Sequence, residues 1–210
     1  MNDTLQTAHT DGADPAKRRQ ILHGAREVFL AKGYDGASMD GIAKAAGVSK
    51  GTLYVYFQNK ECLFEALIVE QKRTLAENLF ETAGDSTDFR AHLVRIAGRY
   101  LDYMAAPEHI ASIRMVIGAM ERFPAFGRAF YAAGPQTGID KLAAIFRTAV
   151  AAGRLREDCD VEVAAGHFMD LCASGTLKRL LFHVETAPGP ARIAETAEIA
   201  VDVFLRAYGR

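Results

Sequence analysis

Three capping residues and one glycine divide residues 38 to 63, SMDGIAKAAGVSKGTLYVYFQNKECL, into helices too short to stand alone, and that division constrains the fold more than any other feature. Ser38 is placed to cap a first helix whose Ile42, Ala43 and Ala46 share one side. Gly47 stops it, because a glycine past the last periodic residue takes the left-handed conformation that turns the chain, and Val48 plugs the corner. Ser49 caps a second helix from Lys50 to about Phe57, with Leu53 and Phe57 facing inward at i and i+4. Asn59 caps a third. A helix, a short turn and a second exposed helix is the helix-turn-helix layout, with the second helix as reader.

That second helix turns Lys50, Gly51, Thr52, Tyr54 and Tyr56 outward, where a merely solvated face would carry Glu, Lys and Gln. Glycine lets the backbone approach a duplex. Thr52 suits a thymine methyl or a base edge, and Lys50, Tyr54 and Tyr56 suit phosphate oxygens. Lys60 lies in the first turn of the next helix, where the helix dipole favours a flanking phosphate. Arg18, in the first turn of an upstream helix, and the cap residues Ser38 and Ser49 complete the expected DNA-binding set.

The charge distribution agrees. Formal net charge is −1 for all 210 residues, yet residues 16 to 60 hold eight Lys or Arg against three acids. One short segment is the polyanion-binding end. Half the residues are apolar, there is no Trp, and runs of alternating β-branched residues are almost absent, so the expected fold class is all-α. No stretch reaches the roughly 20 apolar residues of a membrane span, and the first 15 residues lack the parts of a signal peptide, so the expected location is the cytoplasm without membrane contact. Cys62, Cys159 and Cys172 lack metal-ligand spacing and are expected as reduced thiols. The histidines form no ligand cluster, and no nucleophile motif is present, so neither a cofactor nor a metal nor catalysis is expected.

IAKAAGVSKGTLYVYF, the following NKECLFEAL and an upstream helix ending FLAKGY together resemble the TetR family of bacterial transcriptional regulators, over about a quarter of the chain. Asn59 stands where that family often has serine, and Val55 occupies a position that elsewhere takes a longer polar residue. RMVIGAMERFPAFGRAFYAAGP, residues 114 to 135, more loosely resembles the C-terminal domain of an AefR-like branch. The resemblance implies a homodimer that binds double-stranded DNA, a palindromic operator, and is released by a small-molecule effector in the C-terminal domain.

The chain then divides into a tail over residues 1 to 14, a helix-turn-helix domain over 15 to 60 and a helical ligand-binding and dimerisation domain over 61 to 210. The first helix runs from Asp14 or Pro15 to about Lys32, burying Ile21, Leu22, Ala25, Val28 and Phe29. A long helix runs from Asn59 to about Ala83, ahead of a break at Gly84 to Thr87. Further helices span about Thr87 to Ala105, Pro107 to Phe123, Ala125 to Gly153 with a break at Gly134-Pro135, Val161 to Val184, and Pro190 to Tyr208.

The last two helices are the expected dimer interface, through Phe168, Leu171 and Gly175 of one and Ile193, Ala197, Ala200, Val201 and Phe204 of the other, a four-helix bundle across two copies. The alternative is that both stripes face their own core. A soft, aromatic set including Tyr100, Met104, Met115, Phe130, His167, Phe168 and Cys172 is the candidate lining of a hydrophobic effector pocket. A rival function, a helical enzyme or ligand carrier with an incidental basic end, would need a polar reactive cluster in the C-terminal part.

Overall fold

The computed structural model describes residues 14–80 and 88–210, the side chains of 73–80 apart. Its described residues form helices joined by short turns, with a single isolated bridge between Leu155 and Gly209 and no named strand. They divide into a unit ending at Leu67 and a unit starting at Ile68.

In the first unit, Asp14 caps α1 (Pro15–Gly36) by accepting from the Ala16 amide at 2.8 Å, and Pro15 occupies the first turn, where its missing N–H costs nothing. Gly33, at φ +69, breaks the helical backbone inside that span, so the regular helix ends where the expected boundary lay. Ile21, Leu22, Ala25, Val28 and Phe29 are all buried. α2 (Met39–Ala45) and α3 (Lys50–Tyr56) begin at Ser38 and Ser49, whose hydroxyls accept from the Gly41 and Thr52 amides at 3.1 and 3.0 Å. Gly47 makes the turn between them at φ +64. Gly24 permits the close approach of α1 to α2: a Cβ there would stand 2.5 Å from the Ala46 nitrogen. Beneath these helices Phe29, Tyr34 and the Phe64 ring of α4 (Lys60–Phe80) form an aromatic cluster, Phe29 edge-on to Phe64 at 4.9 Å.

The division between the units falls inside α4, after Leu67, and not at residue 60, where the sequence reading placed it. The expected tail, the end of the long helix near Ala83 and the break at Gly84 to Thr87 lie outside the described residues.

The second unit contains α5 (Phe89–Ala105), capped by Asp88, α6 (Pro107–Met120) and α7 (Pro124–Tyr131). It continues with α8 (Thr137–Ala151), α9 (Val161–Ala173), α10 (Thr176–Leu181) and α11 (Pro190–Tyr208). Its core is an interlocked aromatic set, Phe146, Phe168 and Phe204, with centroids 4.9 to 5.9 Å apart. Leu93, Ile96, Ala97, Leu101, Ala197 and Val201 pack around it.

Three expectations need correction. The chain does not break at Gly134-Pro135; a π-helical turn over Ala132–Gln136 joins α7 to α8, and its wider ring absorbs the missing proline N–H while the Thr137 hydroxyl donates to the Ala132 carbonyl at 3.0 Å. The expected helix from Val161 to Val184 is two helices, because Gly175 sits at φ +74 and ends the first. Finally, the stripe assigned to a dimer interface faces inward. Phe168, Ile193, Ala197, Ala200, Val201 and Phe204 are 0 to 8 % exposed within a single chain. Leu171 packs partly buried against the same core, and Gly175 serves as a helix breaker. The apolar periodicity was real; hydrophobic burial within the chain had already used it.

Candidate DNA interface and effector cavity

α3 is clamped from behind. Leu53 is 0 % exposed and Phe57 5 %, and those two side chains fix which way the rest of the helix points. Gly51, Tyr54 and Lys50 are exposed, and Thr52 and Tyr56 half-buried. Val55, 66 % exposed, joins the outward face. The Thr52 hydroxyl lies 2.8 Å from that of Ser49, so the cap residue and the expected base-reading residue share a hydrogen bond. Lys50 Nζ stands 2.7 Å from Asp40 Oδ1 of α2, and this bond raises the lysine above its ordinary value. Both partners are largely exposed, so solvent screens the pair and a phosphate oxygen can take the place of Asp40.

The structure places Arg18 and Lys60 in positions that the sequence did not foretell. The Arg18 guanidinium lies 5.6 Å from the Phe57 ring centre, bracing the end of α3 from α1. Lys60 donates to the Tyr34 and Ala37 carbonyls at 2.9 and 3.0 Å and sits 4.5 Å from the Tyr34 ring centre. Its ammonium thus ties the chain leaving α1 to the start of α4, with a third hydrogen left to donate. Asn59, as expected, caps α4 by accepting from the Cys62 amide at 2.8 Å. Gln20 was missed: its amide donates to the Ala46 carbonyl at 2.7 Å and finishes the end of α2.

Within the second unit a cavity of about 410 Å³ opens between α5, α6, α7, the π turn and α9. Of the expected lining residues, Tyr100, Met104 and Phe130 are present. Phe168 and Cys172 are instead sealed in the core, where burial pushes the Cys172 thiol up to about 12. His167 is exposed and hydrogen-bonded through Nδ1 to the Tyr208 hydroxyl at 2.5 Å, and Met115 is not among the lining residues.

Among the lining residues that were missed, Lys72 and His109 are buried and polar, 3 % and 7 % exposed. Lys72 Nζ donates to the Tyr103 hydroxyl at 2.9 Å, lies 3.1 Å from His109 Nδ1 and stands 3.9 Å from the Phe130 ring centre. Burial lowers Lys72 from 10.5 to about 7, and burial together with the neighbouring lysine lowers His109 to about 3. The sequence did carry a signal for Lys72. It interrupts an apolar run at helical spacing, between Ile68 and Leu75, where a charge is out of place.

Residues 21–67 match the model of the bacterial regulatory proteins of the tetR family, and residues 91–210 match that of the AefR-like transcriptional repressor C-terminal domain. The chain belongs to the TetR family. Members are transcriptional regulators, not enzymes; they bind DNA and small-molecule effectors and act as dimers. The chain is similar over 93 % of its length to a TetR-family transcriptional regulator from Mesorhizobium loti, with 28 % identity, 98 % of that structure covered and a TM-score of 0.86. It is similar to the flavonoid-responsive regulator FrrA at 32 % identity, covering 93 % of this chain and 98 % of that one, with a TM-score of 0.79. The Escherichia coli K12 regulator UidR is 44 % identical over 77 residues, 36 % of this chain, and the match spans just over a third, 37 %, of that regulator's length. Among the described residues, no helix is long and apolar enough to cross a membrane.

Proposed function

We propose that this TetR-family chain is a homodimeric repressor that binds a palindromic operator through α3 and is released when an apolar small molecule fills the cavity of the second unit. The observation that carries the reading is the outer face of α3. A helix pinned by Leu53 and Phe57 presents a bare glycine, a threonine, two phenols and a lysine, a set suited to a major groove and its phosphates. The matched repressor domain supports the sign of regulation, and the flavonoid response of FrrA supports an aromatic or hydrophobic effector.

The dimer interface moves to the outward sides of α9 and α11. Val163, Ile199 and Val203 are 48, 57 and 43 % exposed there, and the bond from His167 to Tyr208 ties the two helices together. A ligand that binds only the conformer whose two reading helices miss successive grooves empties the operator by population shift. Sequencing DNA selected by the purified protein, with and without cell extract, tests the whole reading. Recovery of an inverted repeat that extract releases is the expected result; the absence of any enriched sequence would overturn it.

A further inference from the structure

We propose that the cavity of the second unit is an anion site whose occupant is an apolar molecule bearing one acidic oxygen, a carboxylate or an ionised phenol, seated against Lys72. This deepens the effector reading and rests on it.

The polar end of the cavity is built from donors. Lys72 is 3 % exposed, and its partners Tyr103, His109 and the Phe130 face carry no negative charge. No carboxylate among the described residues pairs with it; Asp170 lines the cavity but is exposed and makes no ion pair with Lys72. An ammonium can only donate, so His109 Nδ1 accepts and the imidazole hydrogen lies on Nε2. That Nε2 is buried and has no hydrogen-bond partner. Tyr103 accepts from Lys72 and keeps its own hydrogen to give. Nε2 lies across the ring from the lysine, so it does not serve an oxygen on Lys72. One acidic oxygen beside Nζ supplies the missing counter-charge and accepts from the ammonium and the Tyr103 hydroxyl together, whereas a neutral ligand supplies an acceptor without the charge.

The remainder of the wall sets the body of the ligand. Met104, Ile113, Met169 and Leu177 are apolar, and Lys72 is the only Lys or Arg among the described lining residues. A multiply charged ligand therefore lacks partners. Gly134 of the π turn makes room for the lysine stem, since a Cβ there would lie 3.1 Å from Lys72 Cδ. The titratable groups that line the cavity with Lys72, among the described residues, are Tyr100 and Tyr103 of α5, His109 of α6, Tyr131 of α7 and Asp170 of α9. Burial holds Tyr100 and Tyr103 above their ordinary values and keeps His109 neutral above about 3.

The test uses the full chain and its Lys72→Met variant, with the neutral dye Nile red as reporter of the cavity. Decanoate, decanamide and an alkyl nitrophenol, yellow only when ionised, serve as displacing ligands. Both proteins are expected to bind the dye. At pH 7 decanoate should displace it from wild type at least tenfold more tightly than decanamide, roughly one charge-pair interaction. That preference should weaken by up to about tenfold per pH unit above 7 and vanish in Lys72→Met. Decanoate inert while the nitrophenol binds in its yellow form assigns the acid to phenols. Equal binding of acids and amide by wild type, or an acid preference that survives Lys72→Met, would overturn the proposal. The pH series on wild type decides the matter should Lys72→Met not fold. Failure of wild type to bind Nile red would instead remove the effector reading underneath it.

Discussion

Lys72 costs the folded chain stability that the unfolded chain does not lose. Its pKa falls from 10.5 to about 7 on folding, so between those values the unfolded chain holds a proton that the folded chain has released. Stability therefore rises with pH across that window, and the penalty is complete below pH 7. Lys72→Met should raise the melting temperature at pH 7 by roughly 5 °C, the gain being trimmed by leaving Tyr103 and His109 without a partner. The advantage should shrink toward pH 10, and a constant difference from pH 6 to 10 in scanning calorimetry would contradict it. At the DNA face, Thr52→Ala should change sequence preference by about 1–3 kcal/mol at one position, while Tyr54→Phe should weaken binding to all sequences alike. Lys60→Ala is expected to lower both melting temperature and affinity, because the ammonium holds the Tyr34 and Ala37 carbonyls. An unchanged melting temperature would show that those bonds carry no stability.

Among the elements, α1 and α2 leave the least room for change. With a Cβ at residue 24 falling 2.5 Å from the Ala46 nitrogen, Gly24→Ala must push backbone against backbone. It should cost about 1–3 kcal/mol and displace α2, and with it the presentation of α3, as measured by urea unfolding and operator affinity together. Loss of stability without loss of affinity would mean that α3 keeps its place regardless. Elements of this kind were the legible part of the sequence. Ser38, Gly47, Ser49 and Asn59 act locally, through hydrogen bonds and dihedral angles that a short window of sequence contains. The dimer stripe was not legible, because periodicity shows that a face is buried and not what buries it. Nor were the uses of Lys60 and Lys72, whose partners lie 23 to 37 residues away in the chain. Met115, His167, Phe168 and Cys172 failed as lining residues for a related reason: composition names soft side chains without saying which of them border space.

For the whole molecule, affinity should follow salt. A dimer that neutralises on the order of 6 phosphates gives a log–log slope of about −5, and a slope near zero would separate the basic first unit from nucleic acid altogether. If α9 and α11 pair two copies through their outward sides, Ile199→Arg should yield monomers in sedimentation while leaving the chain folded, since residue 199 points away from the core. Dimers that persist would place the interface elsewhere. The π turn adds a last consequence. A π turn holds one residue more than an α turn, so deleting one residue between 132 and 136 other than Pro135 would restore α-helical spacing and set the proline ring against the carbonyl four residues before it, kinking the helix there. The kink would draw Phe130 and Gly134 off Lys72, and a single codon's loss would leave a protein that still folds and still grips DNA but no longer hears its signal.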